Sequence, residues 1–273
     1  MKKKIFALAM AVLMLAMAMT LTACGAKYNT TDDIKANGKL VVYTEAGFAP
    51  YEFIYENEIV GVDIEIMKKV ADKLGVELDV QDVNFDSITG AVKGGKADAG
   101  AAGMTITAER AEEVDFSIPY ASTEQYVIVT ADNAEITTVE TLVGKTLGVQ
   151  QGTTSDFLVS GLIDDGTLAG STLTPYDAPA LAAAALGSKI DAVVTDKLTA
   201  EVIVASSNGA YKTFKLTKAD GSDAAEVEEY GICVGKGNET LLSVINEVLA
   251  ELLADGSVAA WEAQYNDLYS TIE

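Results

Sequence analysis

Arg110 is the only arginine in a chain of 273 residues that carries 18 lysines and no histidine. An arginine presents a planar fork of N–H donors that grips a carboxylate through two parallel hydrogen bonds, whereas a lysine offers one mobile point charge. On a helix surface the same residue would pair with Glu109 or Glu113 and contribute little. The segment just upstream favours the first use. Gly103-Met104-Thr105-Ile106-Thr107 combines a bare backbone with hydroxyl and N–H donors, and an arginine poised over such a loop makes a carboxylate receptor. A second charge, Asp196, closes the apolar run Ala192-Val193-Val194-Thr195 and precedes a helical stretch that it could cap. The lack of histidine removes Ser-His-Asp and Cys-His triads, most zinc sites and the usual base near neutral pH. With 41 Asp+Glu against 19 Lys+Arg and a net charge of -22, nucleic acid is excluded as a partner.

These residues need strand ends and helix starts to hold them. From Gly38 onward, short β-branched runs alternate with helical periods, the pattern of an α/β fold with largely parallel sheets. Leu40 to Tyr43 reads as the first strand. Asp63 then caps a helix with apolar positions at Ile64, Met67, Ala71 and Leu74, closed by Gly75. Gly94-Gly95-Lys96-Ala97-Asp98-Ala99 is echoed by Gly187-Ser188-Lys189-Ile190-Asp191-Ala192, and Gly38-Lys39 by Gly144-Lys145. The echo predicts two matched lobes with their strand ends facing each other, the place where open α/β sheets bind ligands. Gly103 and Asp196 each lie five residues after the shared aspartate. Tyr126 to Val129 and Tyr230 to Val234 read as two strands crossing between the lobes. Asn238 to Leu253 reads as a helix, followed by a last turn in which Trp261 and Tyr265 anchor the first lobe. Gly144-Lys145-Thr146 lacks the first glycine of a P-loop, since Val139 stands there. Asp164-Asp165-Gly166 is a turn without calcium-loop spacing.

The first residues read as an address. Lys2, Lys3 and Lys4 precede an apolar run from Ile5 to Met19, 15 residues long, short of the ~20 a helix needs to span a bilayer. Leu21-Thr22-Ala23-Cys24 resembles the bacterial lipobox, which implies a lipoprotein signal peptide over 1–23 and a lipid (palmitate) on Cys24, at the head of a tether over 24–37. The protein is then expected outside the cytoplasm, anchored to the outer face of the cell membrane or in the periplasm. Cys233 is left without a partner and is expected to pack as a small buried hydrophobe.

Five segments taken together resemble the extracytoplasmic solute-binding proteins of polar amino-acid ABC importers, solute-binding family 3. They are Glu45 to Phe53, Gly61 to Ile66, Ala102 to Arg110, Gln151 to Thr154 and Asp191 to Asp196, and the likeness runs from Gly38 to Leu268. Val62 is smaller than the residue usual there, and Ala102 replaces a serine found in some relatives. The resemblance implies a two-lobe periplasmic-binding-protein-like α/β fold with mostly parallel sheets and a two-strand hinge. Lobe 1 is expected over 38–130, lobe 2 over 131–222, and a return to lobe 1 over 223–273. It further implies that Arg110 takes the α-carboxylate of an amino acid, aided by Thr105 and by Thr154 at a helix start. Asp196 faces the α-ammonium, with the Gly103 carbonyl and Thr105 hydroxyl. Phe48 and Phe85 flank the side chain, and Glu45 waits at the far end, which suits a cationic or amide side chain: arginine or another cationic residue first, glutamine or cystine behind it. The expected partners are the amino acid, an ABC permease in the membrane and, through the lipid, the membrane itself; the expected state is a monomer without cofactor, metal or enzyme activity. The alternative is a dehydratase-like enzyme acting on a small carboxylate on the same fold, with Glu45 or Asp196 as general acid.

Overall fold

The computed structural model describes residues 28–272, so Cys24 and the signal segment lie outside the described residues. The first sheet has the order β5-β1-β6-β15-β7, formed by β1 (Lys39–Thr44), β5 (Glu77–Asp82), β6 (Ala99–Gly100), β7 (Val114–Phe116) and β15 (Cys233–Gly235). The second has the order β11-β10-β12-β9-β13, formed by β9 (Gln125–Thr130), β10 (Thr146–Gln150), β11 (Thr172–Tyr176), β12 (Ala192–Asp196) and β13 (Tyr211–Lys215). A short antiparallel sheet of β2 (Gly47–Phe48), β3 (Glu52–Tyr55) and β4 (Glu58–Val60) follows β1 in the chain. In each five-stranded sheet, the second strand in that order runs parallel to both its neighbours and the other two pairings are antiparallel. The two lobes are therefore the same α/β design, with a larger antiparallel share than the strand–helix alternation predicts.

The hinge differs from the expectation. The ladder between the lobes is β8 (Ala121–Thr123) against β14 (Glu228–Tyr230), an antiparallel pair with Glu228 opposite Thr123. Tyr126 to Val129 belongs instead to β9 in the second sheet, which moves that strand out of the lobe 1 range of 38–130. Residues 233–235 form β15 in the first sheet. Apolar alternation marks these stretches as strands but does not say which sheet pairs with them.

The echoed segments have one physical role. The Asp98 carboxylate accepts the Val41 N–H at 2.8 Å while the Asp98 N–H donates to the Val41 carbonyl at 2.8 Å. Asp191 does the same with Thr146, at 2.7 and 2.8 Å. Each aspartate thus pins the start of the strand that pairs in parallel with the one it leads into, setting the register of both sheets.

Helices cover these sheets: α1 (Thr31–Asn37), α2 (Val62–Leu74), α3 (Ile88–Lys93), α4 (Ala108–Glu113), α5 (Thr154–Asp164), α6 (Pro179–Ala183), α7 (Lys197–Ala205), α8 (Glu239–Ala254) and α9 (Ser257–Ser270). In the first lobe Ile66, Met67 and Val70 of α2 join Leu241, Ile245 and Val248 of α8 in one core. The stretch expected as a last turn is the whole of α9, which returns Tyr265 to that core with Trp261 half-buried at its edge. Asp63 is not a cap: Gly61 holds that position, and Asp63 lies fully buried in the first turn of α2. Cys233 is buried against Gly100, where a Cβ would lie 2.7 Å from its sulfur.

Because Asp98 is buried and Asp191 exposed, Asp98→Ala strands a buried N–H and costs about 1–3 kcal/mol. Asp191→Ala costs less. Urea unfolding of the two variants checks the order.

Candidate functional site

Three strand ends and two loops meet where the lobes face each other. The loop after β6 runs through Gly103, whose φ of +52° and close approach to the Phe48 ring exclude a side chain: a Cβ would lie 2.7 Å from that ring. Its N–H donates to Asp63 at 2.9 Å, and the same oxygen accepts the Tyr120 hydroxyl at 2.9 Å. Glu52, also fully buried, lies beside Asp63, and among the described residues neither of its oxygens finds a hydrogen-bond donor. Burial, with Asp63 beside it, raises the Glu52 pKa well above the carboxylate range, so this side chain is the protonated member of the pair. Burial pushes Asp63 up to about 7, opposed by the Gly103 N–H and Tyr120. A buried carboxyl pair therefore stands behind the loop, and Asp63 holds it through the Gly103 N–H.

Arg110 lies in the first turn of α4 under a cap from Thr107, whose hydroxyl accepts the Arg110 N–H at 3.2 Å. Its guanidinium carbon sits 5.2 Å from the centre of the Phe85 ring. One terminal nitrogen donates to the Thr105 carbonyl at 2.7 Å in the first lobe, and the other to the Gly152 carbonyl at 3.0 Å in the second. Among the described residues these are two of its five donors.

Asp196 ends β12 and starts α7 without capping it; its side chain makes no bond to the helix. The carboxylate instead accepts the Tyr230 hydroxyl from the hinge and Nε2 of Gln125 at 2.8 Å. Burial, reinforced by Glu228, pushes Asp196 up to about 7, against the pull of Tyr230, Arg110 and Gln125. Thr154 is the first helical residue of α5, and the cap is Thr153, which accepts the Asp156 N–H at 3.2 Å. The Thr154 hydroxyl turns to Glu228 at 2.7 Å.

At the other end of the crevice Glu45 accepts Nε2 of Gln150 across the lobes at 2.7 Å. Burial pushes Glu45 up to about 7; Gln150 opposes this, while Asp82 and Asp177 add to it. The lobes are pressed together elsewhere too. Gln151 donates to Asp86 at 2.8 Å and Thr199 to the Ala49 carbonyl at 2.9 Å. A Cβ on Gly152 would lie 2.7 Å from that of Asp86. Phe48, Phe85, Gly103, Thr105, Arg110 and Asp196 line a space of about 10 Å³, room for one water, so anything larger enters only as the lobes part. A groove of about 780 Å³ beside it, bordered by Phe85, Glu109, Arg110 and Phe157, leads to the same arginine.

The eight positions singled out in the sequence thus converge on one crevice, with Glu45 reached through Gln150. Sequence reasoning missed Gln125, Gln150, Tyr230 and Glu228. One signal was available: Glu228 and Tyr230 are two apart on a strand and share a face, so the residue that reaches Asp196 brings a carboxylate with it.

Two matched α/β lobes on a two-strand ladder, with an arginine and an aspartate lining the crevice between them, define a hinged ligand-binding protein. The chain belongs to the bacterial extracellular solute-binding proteins, family 3, whose model matches residues 40–267. It is 40% identical over 132 residues to the arginine-binding extracellular protein ArtP of Bacillus subtilis, a match spanning 48% of this chain and 51% of that one. The arginine-bound form of truncated ArgBP from T. maritima superposes with a TM-score of 0.73 at 39% identity, covering 81% of this chain and 99% of that one. The ancestral amino acid-binding protein AncCDT-1, a precursor of cyclohexadienyl dehydratase, superposes at 0.76 and 30% identity, over 87% and 99%. Among the described residues, no helix is long and apolar enough to cross a membrane.

Glu45, Asp63 and Asp196 all have folded-state values near 7 against about 4 when unfolded. The folded protein then holds more protons than the unfolded chain between those values, so stability is greatest at the acid end of that window and falls as pH rises through 7. The surface carboxylates whose values are lowered act below it. Thermal melts should therefore give a higher Tm at pH 5 than at pH 8.

Proposed function

We propose that this chain is a receptor for a cationic L-amino acid, arginine first, which it captures between its lobes and hands to an ABC importer. The observation that carries this reading is the presentation of Arg110 and Asp196 to one crevice from opposite lobes, three carboxylates lying further on at Glu45, Asp82 and Asp177. The α-carboxylate takes the free donors of Arg110 and the backbone N–H groups of Thr105 and of Thr154, which opens α5. The α-ammonium lies between Asp196 and the Gly103 carbonyl. Phe48 and Phe85 flank the aliphatic stem, and the guanidinium reaches Glu45. ArtP and the T. maritima protein, both named for arginine, support the choice of ligand.

Closure follows from charge. A zwitterion bound to one lobe leaves a pole of charge facing the other, and bringing the lobes together pairs it while excluding water. Binding energy thus shifts the population toward the closed form, which is the form a permease would read. Cys24 carries the lipid that keeps the receptor at the membrane. Cys24→Ser should move the protein from the membrane fraction to the soluble one; retention in the membrane would remove the anchor from this account.

A second reading has one observation behind it. Glu45 and Asp196, each with a value near 7, are half-protonated at neutral pH and could act as general acids, as a dehydratase requires. Incubation with cyclic carboxylates and product analysis decides, and turnover would replace the receptor reading.

A thermal-shift screen of the twenty amino acids with ornithine and cystine should show its largest shift with arginine. Arg110→Lys should abolish that shift while leaving the unliganded melt in place. Arginine affinity should also fall as pH drops from 8 to 5, by up to about tenfold per unit for each of Asp196 and Glu45, since both must ionise to hold a cation.

A further inference from the structure

Glu228 has no part in the receptor proposal, yet from the hinge strand β14 it bonds to crevice-lining residues of both lobes. One of its oxygens, Oε2, accepts two hydroxyls: Thr105 of the first lobe at 2.7 Å and Thr154 of the second at 2.7 Å. Its other oxygen accepts Nε2 of Gln125 at 2.9 Å, and that nitrogen also donates to Asp196 at 2.8 Å. The Gln125 amide is held in this orientation because its oxygen accepts the Ser155 hydroxyl at 2.7 Å. Hinge, both lobes and the expected ammonium site are thus joined through one side chain.

A hydroxyl carries one proton and two lone pairs. Thr105 and Thr154 each spend that proton on Glu228, so toward the crevice their oxygens can only accept. An acceptor suits an ammonium, which has three N–H donors and no lone pair, and repels a carboxylate. Both oxygens reach Glu228 together only when the lobes meet, so the acceptor pair is assembled by closure itself.

We propose that Glu228 is a specificity-determining positioning residue: by taking the protons of Thr105 and Thr154 it turns both hydroxyls into acceptors and commits that pole of the site to the α-ammonium. The inference rests on the amino-acid receptor reading and deepens it. It assigns the two threonine hydroxyls to the ammonium and leaves the carboxylate to Arg110 and backbone N–H groups. Glu228 also acts on the charges at both poles, raising the proton affinity of Asp196 and of Arg110.

The test compares L-arginine with 5-guanidinopentanoate, which is arginine without its α-amino group, by calorimetry on the parent and on Glu228→Gln. An amide keeps one acceptor oxygen, which can serve either the two hydroxyls or Nε2 of Gln125 but not both, so the variant should bind arginine about 10- to 100-fold more weakly. Its affinity for 5-guanidinopentanoate should change by less than about threefold. Glu228→Asp, which keeps the charge on a shorter arm, should recover part of the discrimination. Should Glu228→Gln not fold, Thr105→Val and Thr154→Val remove the same acceptors and should produce the same selective loss. Equal loss for both compounds would make Glu228 merely a hinge support, and tighter arginine binding would make it an internal competitor; either result overturns the assignment. If the parent binds another amino acid in place of arginine, that compound and its des-amino form serve as the pair. A parent that binds no amino acid sinks the receptor reading, and this inference with it. A parent that binds while Glu228→Gln fails to discriminate sinks this inference alone.

Discussion

A guanidinium and a carboxylate withdrawn from water must each find a partner, and this protein supplies the partners from two bodies instead of one. Arg110 is half-buried over the Phe85 ring and bonded to a carbonyl of each lobe; Asp196 is buried against the hinge tyrosine. Leaving either charge buried and alone is far more costly than leaving it in water. The geometry of the crevice is therefore coupled to whether the lobes are together, and every inter-lobe hydrogen bond reports the same closure. That coupling lets a small zwitterion act on bodies many times its size.

Around that pair the protein accumulates carboxylates instead of cations. Asp196, Glu228 and Glu45 lie along the crevice, and Asp63 and Glu52 behind its floor. Crowding of this kind in a low dielectric raises proton affinity, and three of these groups are held near 7. The overall charge of -22 has the same sign. The cationic ligand proposed for the site would meet attraction at long range and, at the end of its path, groups that ionise to receive it.

The two lobes reach this arrangement by the same means. Asp98 and Asp191 fix equivalent strands by equivalent pairs of hydrogen bonds, and the residues five beyond them, Gly103 and Asp196, both line the crevice. Each lobe is built on its own five-stranded sheet, and the short β8–β14 ladder belongs to neither.

Much of this was legible in the residues. The solitary arginine beyond a glycine-threonine loop, the repeated Gly-x-Lys-x-Asp-Ala segments and the alternation of strand and helix are local facts, and their physical meaning is carried by side-chain chemistry and by periods of 2 and 3.6 residues. Local pattern could not place β9 in the second sheet, lengthen the last turn to α9, or bury Asp63 beside Glu52, because sheet partnership and burial depend on what arrives from elsewhere in the chain. Glu228 is the sharpest case. In the sequence it is one acid among 41; it gains its role only when residues 105, 125 and 154 are folded onto its two oxygens, since a carboxylate's chemistry is set by the donors around it.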